Sequence, residues 1–221
     1  MDFESVFEEQ FPFWNQLNNS DKEELLNNTI LKQFNKEQPV HSNLECSGLY
    51  IVKSGKLRLY MRSDEGKEIT LYRLSPGEMC MLSASCVLQS ITFDVYIDAE
   101  VDTECYMILG AAFNRVAENV PAVKIFALEA AVSRFSDVMW IMQQIVFMNQ
   151  DKRLAIFLLD EIETKGEHII TMTHEQIARH LGTAREVVSR MLKHLASDGV
   201  LEVTRKGIIV TYVKILRSIA Y

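Results

Sequence analysis

The chain has little of what would mark a secreted, fibrous or membrane protein. Its 221 residues hold four cysteines (46, 80, 86 and 105), nine glycines and four prolines. So little Gly and Pro leaves no room for a collagen-like or low-complexity chain, and four Cys without a secretion signal form no disulfide framework. Long apolar runs are missing too. The longest, Val138–Met142 and Ile145–Met148, are split by Gln143 and Gln144 and fall short of the roughly 20 residues of a membrane span. Residues 1–9 are acidic where a secretory leader is basic. The expected location is the cytoplasm, with no membrane partner. Histidine is absent from residues 42–167, which removes the His/Glu metal set of a cupin-type enzyme. His174 and Glu175 would open a zinc-protease motif, but Ala178 stands where the second His belongs. His168, His174 and His180 are six apart, the wrong spacing for a metal face on a helix. No phosphate loop or dinucleotide glycine fingerprint occurs, so neither an enzyme nor a metal site is expected.

What is present is an ordinary globular balance, 48% hydrophobic and 24% charged, in a chain long enough for one or two domains with real cores. The net charge of −7 hides a gradient. Residues 1–150 carry 12 Lys+Arg against 21 Asp+Glu, while residues 151–221 carry 11 against 9. A more basic C-terminal part is a cue for nucleic-acid contact.

Ser20 and Glu23 are spaced as a capping box, opening a short helix over Asp21–Asn28. Short runs with alternation follow at Leu49–Lys53 and Lys56–Met61, broken by turn residues at 54–55, 64–66 and 75–77. Strands are expected again at Ile91–Ile97 and Glu104–Leu109, around a short helix at Ser83–Leu88. Regularly spaced short strands indicate a compact sandwich or barrel. Beyond Gly110 the period becomes helical, and from Pro121 no Gly or Pro recurs until Gly166. Leu128, Val132, Phe135, Met139, Met142 and Val146 step by 4, 3, 4, 3, 4, the 3.5-residue seam of paired helices. Val138, Ile141 and Ile145 add a second row. Roughly 28 residues make a rod of about 42 Å that needs two neighbours, its own domain and a second surface. A dimer interface formed by those six seam residues is one reading, and a core helix of a monomer is the other. Asn149–Asp151 reads as a hinge, Lys152–Thr164 as a helix, and Val200–Thr204 with Ile208–Tyr212 as a hairpin. The fold class is α+β: a β-rich sensing domain (1–120), a dimerisation helix (121–148) and a winged helix–turn–helix (149–221).

The helix–turn–helix runs from Thr173 to Lys193. Ile177, Ala178, Leu181, Val187, Met191 and Leu192 are its expected core, and Gly182 its turn. The second helix then offers Arg185, Glu186, Ser189 and Arg190 on the outer face of its N-terminal half, where a recognition helix meets base edges. Arg pairs with guanine O6/N7 and Glu accepts from the cytosine amino group, which suits a G·C-containing half-site. The bland alternative is a solvated surface helix with a Glu186–Arg190 pair.

With these residues in place, the chain resembles the Crp/Fnr transcription regulators over nearly its whole length. Residues 50–56 and 71–78 resemble the double-stranded β-helix of their cyclic-nucleotide-binding-like domain. The resemblance implies a homodimer bound to double-stranded DNA at a palindromic operator with TGTGA- or TTGAT-like half-sites, and contact with RNA polymerase if it activates. Glu186 and Arg190 match the base-reading pair of both family branches. Arg185 matches the extra arginine of the cyclic-AMP branch, and Ser189 the serine of the fumarate-nitrate branch. Thr173 and Lys206 resemble phosphate contacts, with Thr183 and Lys193 as further candidates. Ala184 and Val187 depart from the pattern, replacing hydroxyl residues that grip phosphates in the cyclic-AMP branch.

The effector is not named by the sequence. Gly77 and Glu78 resemble the opening of the family's phosphate-binding cassette, but Phe93 and Asp94 fall where that cassette has Arg-Ser. No Lys or Arg lies between Arg73 and Arg115. This speaks against cyclic AMP, and the absence of any Cys before Cys46 speaks against an iron–sulfur cluster. Glu78, Cys80, Leu82, Cys86 and Phe93 are the candidate pocket. Cys80 and Cys86, with Cys46, sense a redox, metal or thiol-reactive signal, pack as small hydrophobes, or touch an apolar ligand. His41 reads as structural. The rival function is a small-molecule or redox sensor whose helix–turn–helix no longer reads DNA.

Overall fold

A computed structural model describes residues 3–41, 48–80 and 95–221. The chain forms two compact units: Met1–Arg62 with Leu71–Val138, and Ser63–Thr70 with Met139–Tyr221.

The first unit opens with α1 (Phe3–Gln10), a 3-10 turn at Trp14–Gln16, and α2 (Asn19–Asn27). The capping box expected at Ser20 and Glu23 does not form. Asn18, extended at φ −76 and ψ 168, caps α2 by accepting a hydrogen bond from the Asp21 amide at 2.8 Å. Asn and Ser cap helices about equally well, so composition alone does not choose between them. Among the described residues eight strands follow: β1 (Thr29–Phe34), β2 (Pro39–His41), β3 (Leu49–Ser54), β4 (Leu57–Arg62), β5 (Glu68–Leu74), β6 (Met79–Cys80), β7 (Tyr96–Ala99) and β8 (Thr103–Ile108). They form two four-stranded sheets in the orders β1-β8-β3-β6 and β2-β7-β4-β5. Pairing is antiparallel at β1–β8, β3–β8, β3–β6, β2–β7 and β4–β7. Leu49–Val52 and Leu57–Tyr60 are buried at every position, Arg58 among them through its pairing with Asp98. The helix expected at Ser83–Leu88 and the start of the strand expected at Ile91 lie outside the described residues.

After β8 come α3 (Gly110–Asn119) and α4 (Pro121–Phe147). Their inner faces close on an aromatic cluster to which the N-terminal segment gives Phe7, Phe11 and Trp14 and α3 gives Phe113, each 1% exposed or less. Phe11 meets Phe126 of α4 edge-on at 5.7 Å, and Phe7 meets Trp14 at 5.4 Å. Val123 and Ala127 of α4 are fully buried in the same cluster. A second core of Tyr50, Val52, Leu57, Leu59, Leu74, Cys80, Ile97 and Cys105 fills the β-domain, with Val138 of α4 packed against it.

The second unit is built on α5 (Gln150–Lys165), capped by Asn149, whose side chain accepts from the Lys152 amide at 2.8 Å. It continues through β9 (Ile169–Ile170), α6 (His174–Leu181), α7 (Arg185–Ser197), β10 (Leu201–Thr204), β11 (Gly207–Val210) and α8 (Val213–Ala220). The wing is a three-stranded sheet ordered β10-β11-β9; β9 and α8 add to the hairpin read from the sequence. Thr173 and Gln176 make a complete capping box on α6. The core holds Ile177, Ala178, Leu181, Met191 and Leu192 as expected, but Val188 is the buried valine and Val187 only packs at its edge. The phase of α7, set by its start at Arg185, brings 188, 191, 192 and 195 inward together. The buried Arg153 of α5 donates to the Leu181 carbonyl, closing the C-terminal end of α6. The Ser63–Thr70 segment joins this unit through Thr70, whose hydroxyl lies 2.9 Å from His180 Nδ1.

Gly182 ends α6 at φ +65, and a Cβ there would also meet Ile69 Cδ1 at 3.1 Å. Both the left-handed backbone and the contact oppose a side chain. Gly182→Ala is expected to cost about 1–2 kcal/mol, read as a lower midpoint in urea unfolding followed by circular dichroism.

Candidate functional site

Two regions gather polar chemistry, one in each unit. In the second, α7 begins at Ala184, which is extended at φ −85 and ψ 147 and offers no side-chain cap. The first amides of α7 therefore keep their hydrogen-bonding capacity and the helix end its partial positive charge. Arg185, Glu186 and Arg190 stand exposed on the first two turns. The surface pair Glu186–Arg190 does not form, and no ion pair among the described residues engages any of the three. Ser189 is half-buried instead, its hydroxyl 2.7 Å from Nδ1 of His174 at the start of α6. Arg185 and His174 share an open cleft of about 590 Å³ with Thr173, Thr204, Arg205 and Lys206 of the wing. Thr173, Lys193 and Lys206 are exposed and Thr183 is half-buried. Thr173 and Lys206 line that cleft. Thr183 lines a second one, of about 380 Å³, with Arg179, Glu65 and Glu68. The wing tip is stiffened by Thr204, whose hydroxyl donates to the Gly207 carbonyl at 2.9 Å and accepts from the Lys206 amide at 3.2 Å.

In the first unit, the absence of Lys and Arg from residues 74–114 does not leave the β-domain without a cation. Arg134 of α4 reaches Glu78 Oε1 at 3.3 Å and Asp137 Oδ2 at 3.1 Å, with its guanidinium 4.9 Å from the Tyr72 ring centroid. Burial works against its charge, yet Asp137, Tyr72 and Glu78 outweigh burial and raise its pKa. Glu78 also closes its own turn, accepting from the Ser75 amide at 2.8 Å. Tyr72 is buried beside Cys80, and its phenol is pushed well above the ordinary range by burial first and the thiol second. Cys80 and Cys105 are buried reduced thiols. Burial, then the neighbouring Cys80, drives the Cys105 thiol up to about 12. Of the candidate pocket, Glu78 and Cys80 thus meet around Tyr72 and Arg134, while Leu82, Cys86 and Phe93, with Cys46, lie outside the described residues. Sequence reasoning missed Arg134; the available signal was a cation in the middle of a largely apolar helix. Arg58 and Arg73 are committed elsewhere, to Asp98 at 3.1 Å and Glu100 at 3.5 Å.

The α4 seam is bare in the single chain. Val132 is 66% and Phe135 63% exposed, and Leu128, Met139, Met142 and Val146 lie between 40% and 59%. Among the described residues no helix is long and apolar enough to cross a membrane, and no group of three or more His, Cys, Asp or Glu is placed to hold a metal ion.

Comparison with known proteins matches both regions. Residues 152–219 match the model of the Crp-like helix-turn-helix domain and residues 32–120 that of the cyclic nucleotide-binding domain. A crystal structure of a crp/fnr-family protein from Eubacterium rectale is similar at 42% identity over 96% of this chain and 99% of its own, with a TM-score of 0.91. The cyclic AMP receptor protein of Thermus thermophilus is 29% identical over 78% of this chain and 79% of its own. The lactate racemization regulatory protein of Lactiplantibacillus plantarum is 24% identical over 80% and 86%.

A buried thiol is shielded from reagents, and the raised pKa of Cys105 keeps that one protonated as well. In native protein at pH 8, iodoacetamide is expected to leave Cys80 and Cys105 unlabelled, and urea-unfolded protein to label fully at both; peptide mass spectrometry reads the difference.

Proposed function

Because the chain belongs to the Crp/Fnr family of transcription regulators, we propose that it is a homodimer that reads a palindromic DNA operator through α7 under the control of a signal taken up in its β-domain. The observation that carries this reading is the set of unpaired, exposed Arg185, Glu186 and Arg190 on the first turns of α7, beside a cleft walled by wing cations. Charged side chains without protein partners at the N-terminal half of such a helix suit base edges in a major groove. Thr173 and Lys206 are the phosphate contacts that set register, with Thr183 and Lys193 flanking them.

Dimerisation rests on the exposed row from Leu128 to Val146. A self-complementary seam at 3.5-residue spacing pairs two helices about a twofold axis, and helix–turn–helix dimers read half-sites about 34 Å apart. The effector region is the ring of Tyr72, Glu78, Cys80 and Arg134, with Leu82, Cys86 and Phe93 of the intervening segment as further candidates. The buried position of Cys80 favours a packing role for it over that of an accessible redox sensor. Phe93 and Asp94 offer nothing to neutralise a cyclic phosphate, so the reading names an effector other than cyclic AMP.

Fluorescence anisotropy on duplexes with TGTGA- or TTGAT-type half-sites tests the base-reading claim. Arg190→Ala is expected to weaken specific binding by about 1–3 kcal/mol and to relax preference at one base pair, leaving the salt slope largely unchanged. Unaltered base preference would overturn the assignment. For the seam, Val132→Glu with Phe135→Glu is expected to convert a dimer to a monomer in sedimentation equilibrium and to abolish preference for a palindrome over a single half-site. Retained dimers would place the interface elsewhere.

A further inference from the structure

Ser189 differs from the other three candidate base-reading residues in being tied to another helix. Its partner His174 is the first residue of α6, and the Thr173–Gln176 capping box fixes that turn. The link between Ser189 Oγ and His174 Nδ1 spans 15 residues of sequence, and His174 opens onto the cleft that Arg185 shares with the wing. A serine hydroxyl left alone on a helix is a rotor that donates or accepts as its surroundings ask, so it discriminates poorly among bases. The 2.7 Å separation is a close hydrogen bond whose direction follows the imidazole tautomer. With the imidazole proton on Nε2, Nδ1 accepts from the serine hydroxyl across this contact.

We propose that His174 is a positioning residue for DNA specificity: by taking the Ser189 proton it leaves the hydroxyl as an acceptor only, so that α7 selects a base with an exocyclic amino group. On the strand that Ser189 faces, adenine N6 and cytosine N4 are donors in the major groove, whereas thymine O4 and guanine O6/N7 are acceptors. Position 189 therefore favours A or C over T or G. The inference rests on the DNA-reading assignment made above and adds to it which hydrogen-bonding role Ser189 plays and which residue sets that role.

The test uses the full chain and a duplex panel carrying all four bases at each half-site position, read by anisotropy at 50 mM salt. Wild type is expected to show one position where A or C is favoured over T or G by roughly three- to tenfold, the scale of one hydrogen bond. Ser189→Ala removes that preference, and His174→Ala reduces it to under about twofold. The double variant His174→Ala/Ser189→Ala matches Ser189→Ala alone, since the histidine acts only through the serine. His174→Asn restores the preference, because Asn Oδ1 sits as many bonds from Cβ as Nδ1 does; this recovery separates positioning from a folding defect. The proposal is overturned if His174→Ala weakens every duplex by one common factor with the base ranking kept, as a simple phosphate contact would. It is equally overturned if wild type favours T or G at the Ser189 position. A wild type with no base preference anywhere would remove the DNA-reading assignment itself; preference surviving only where Arg190 reads would remove this proposal alone.

Discussion

A helix of 27 residues with apolar side chains on two flanks has to be covered on both, and much of the molecule follows from how α4 meets that demand. One flank is settled within the first unit: Val123 and Ala127 are sealed by the aromatic cluster of α1, the Trp14 turn and α3, and Val138 packs on the sheets. The other flank stays bare from Leu128 to Val146. Burying each such side chain is worth about 1.5–3 kcal/mol when complete, so a row of six is a strong drive to associate. Arg134 lies in the same turn as Val132 and Phe135, and its guanidinium is held by Glu78 and lies over the Tyr72 ring. In the function proposed here, anything that displaces Glu78 or fills the space over Tyr72 changes the forces on the turn that also forms the seam. No separate pathway is needed when the sensing contact and the dimer contact share one helical turn.

The second unit solves a different problem, holding two short helices at a fixed angle on a small core. Here α6 has eight residues and α7 thirteen, lengths at which isolated helices are marginal in water. Stability comes from their surroundings: the Thr173 capping box at one end of α6, Gly182 in the left-handed region at the other, and the buried Arg153 on the Leu181 carbonyl. Burial alone lowers the pKa of Arg153, and the hydrogen bond to a helix-terminal carbonyl, where the backbone dipole is negative, offsets that cost. By contrast, the start of α7 is left without a cap. The helix–turn–helix is thus fastened at both ends of α6 and left uncapped at the start of α7.

How much of this was legible in the residues depended on sequence distance. Gly182, Ile177, Leu181, Met191 and Leu192 betray the helix–turn–helix because its packing and its turn repeat a local 3–4 spacing. The α4 seam is legible for the same reason. Val187 and Val188 could not be told apart, because a shift of one residue in the helix start rotates the inward face by about 100°. Ser20 and Asn18 compete as caps in the same way. Contacts that join distant segments left no local trace: Phe11 against Phe113, Arg134 on Glu78, Thr70 on His180, and His174 on Ser189. Counting cations only between residues 74 and 114 failed at Glu78 because the cation arrives from a helix 56 residues downstream.

That distance dependence also bears on how an acidic chain can read DNA. With 11 Lys+Arg against 9 Asp+Glu in residues 151–221, the C-terminal part has little net positive charge of the kind that gives many DNA-binding proteins strong sequence-independent affinity. Its cations are few and placed, with Arg185, Arg205 and Lys206 around one cleft and Arg190 a turn and a half along α7. A weak non-specific term lowers the background against which a correct site must compete, so each base-edge contact counts for more in the specificity ratio. The same economy raises the cost of an ambiguous contact. A serine free to donate or accept would tolerate any base pair, whereas one committed by a neighbouring imidazole adds discrimination without adding charge. In a recognition surface this sparing, a hydrogen bond inside the protein is as much a part of the reading as those made to the DNA.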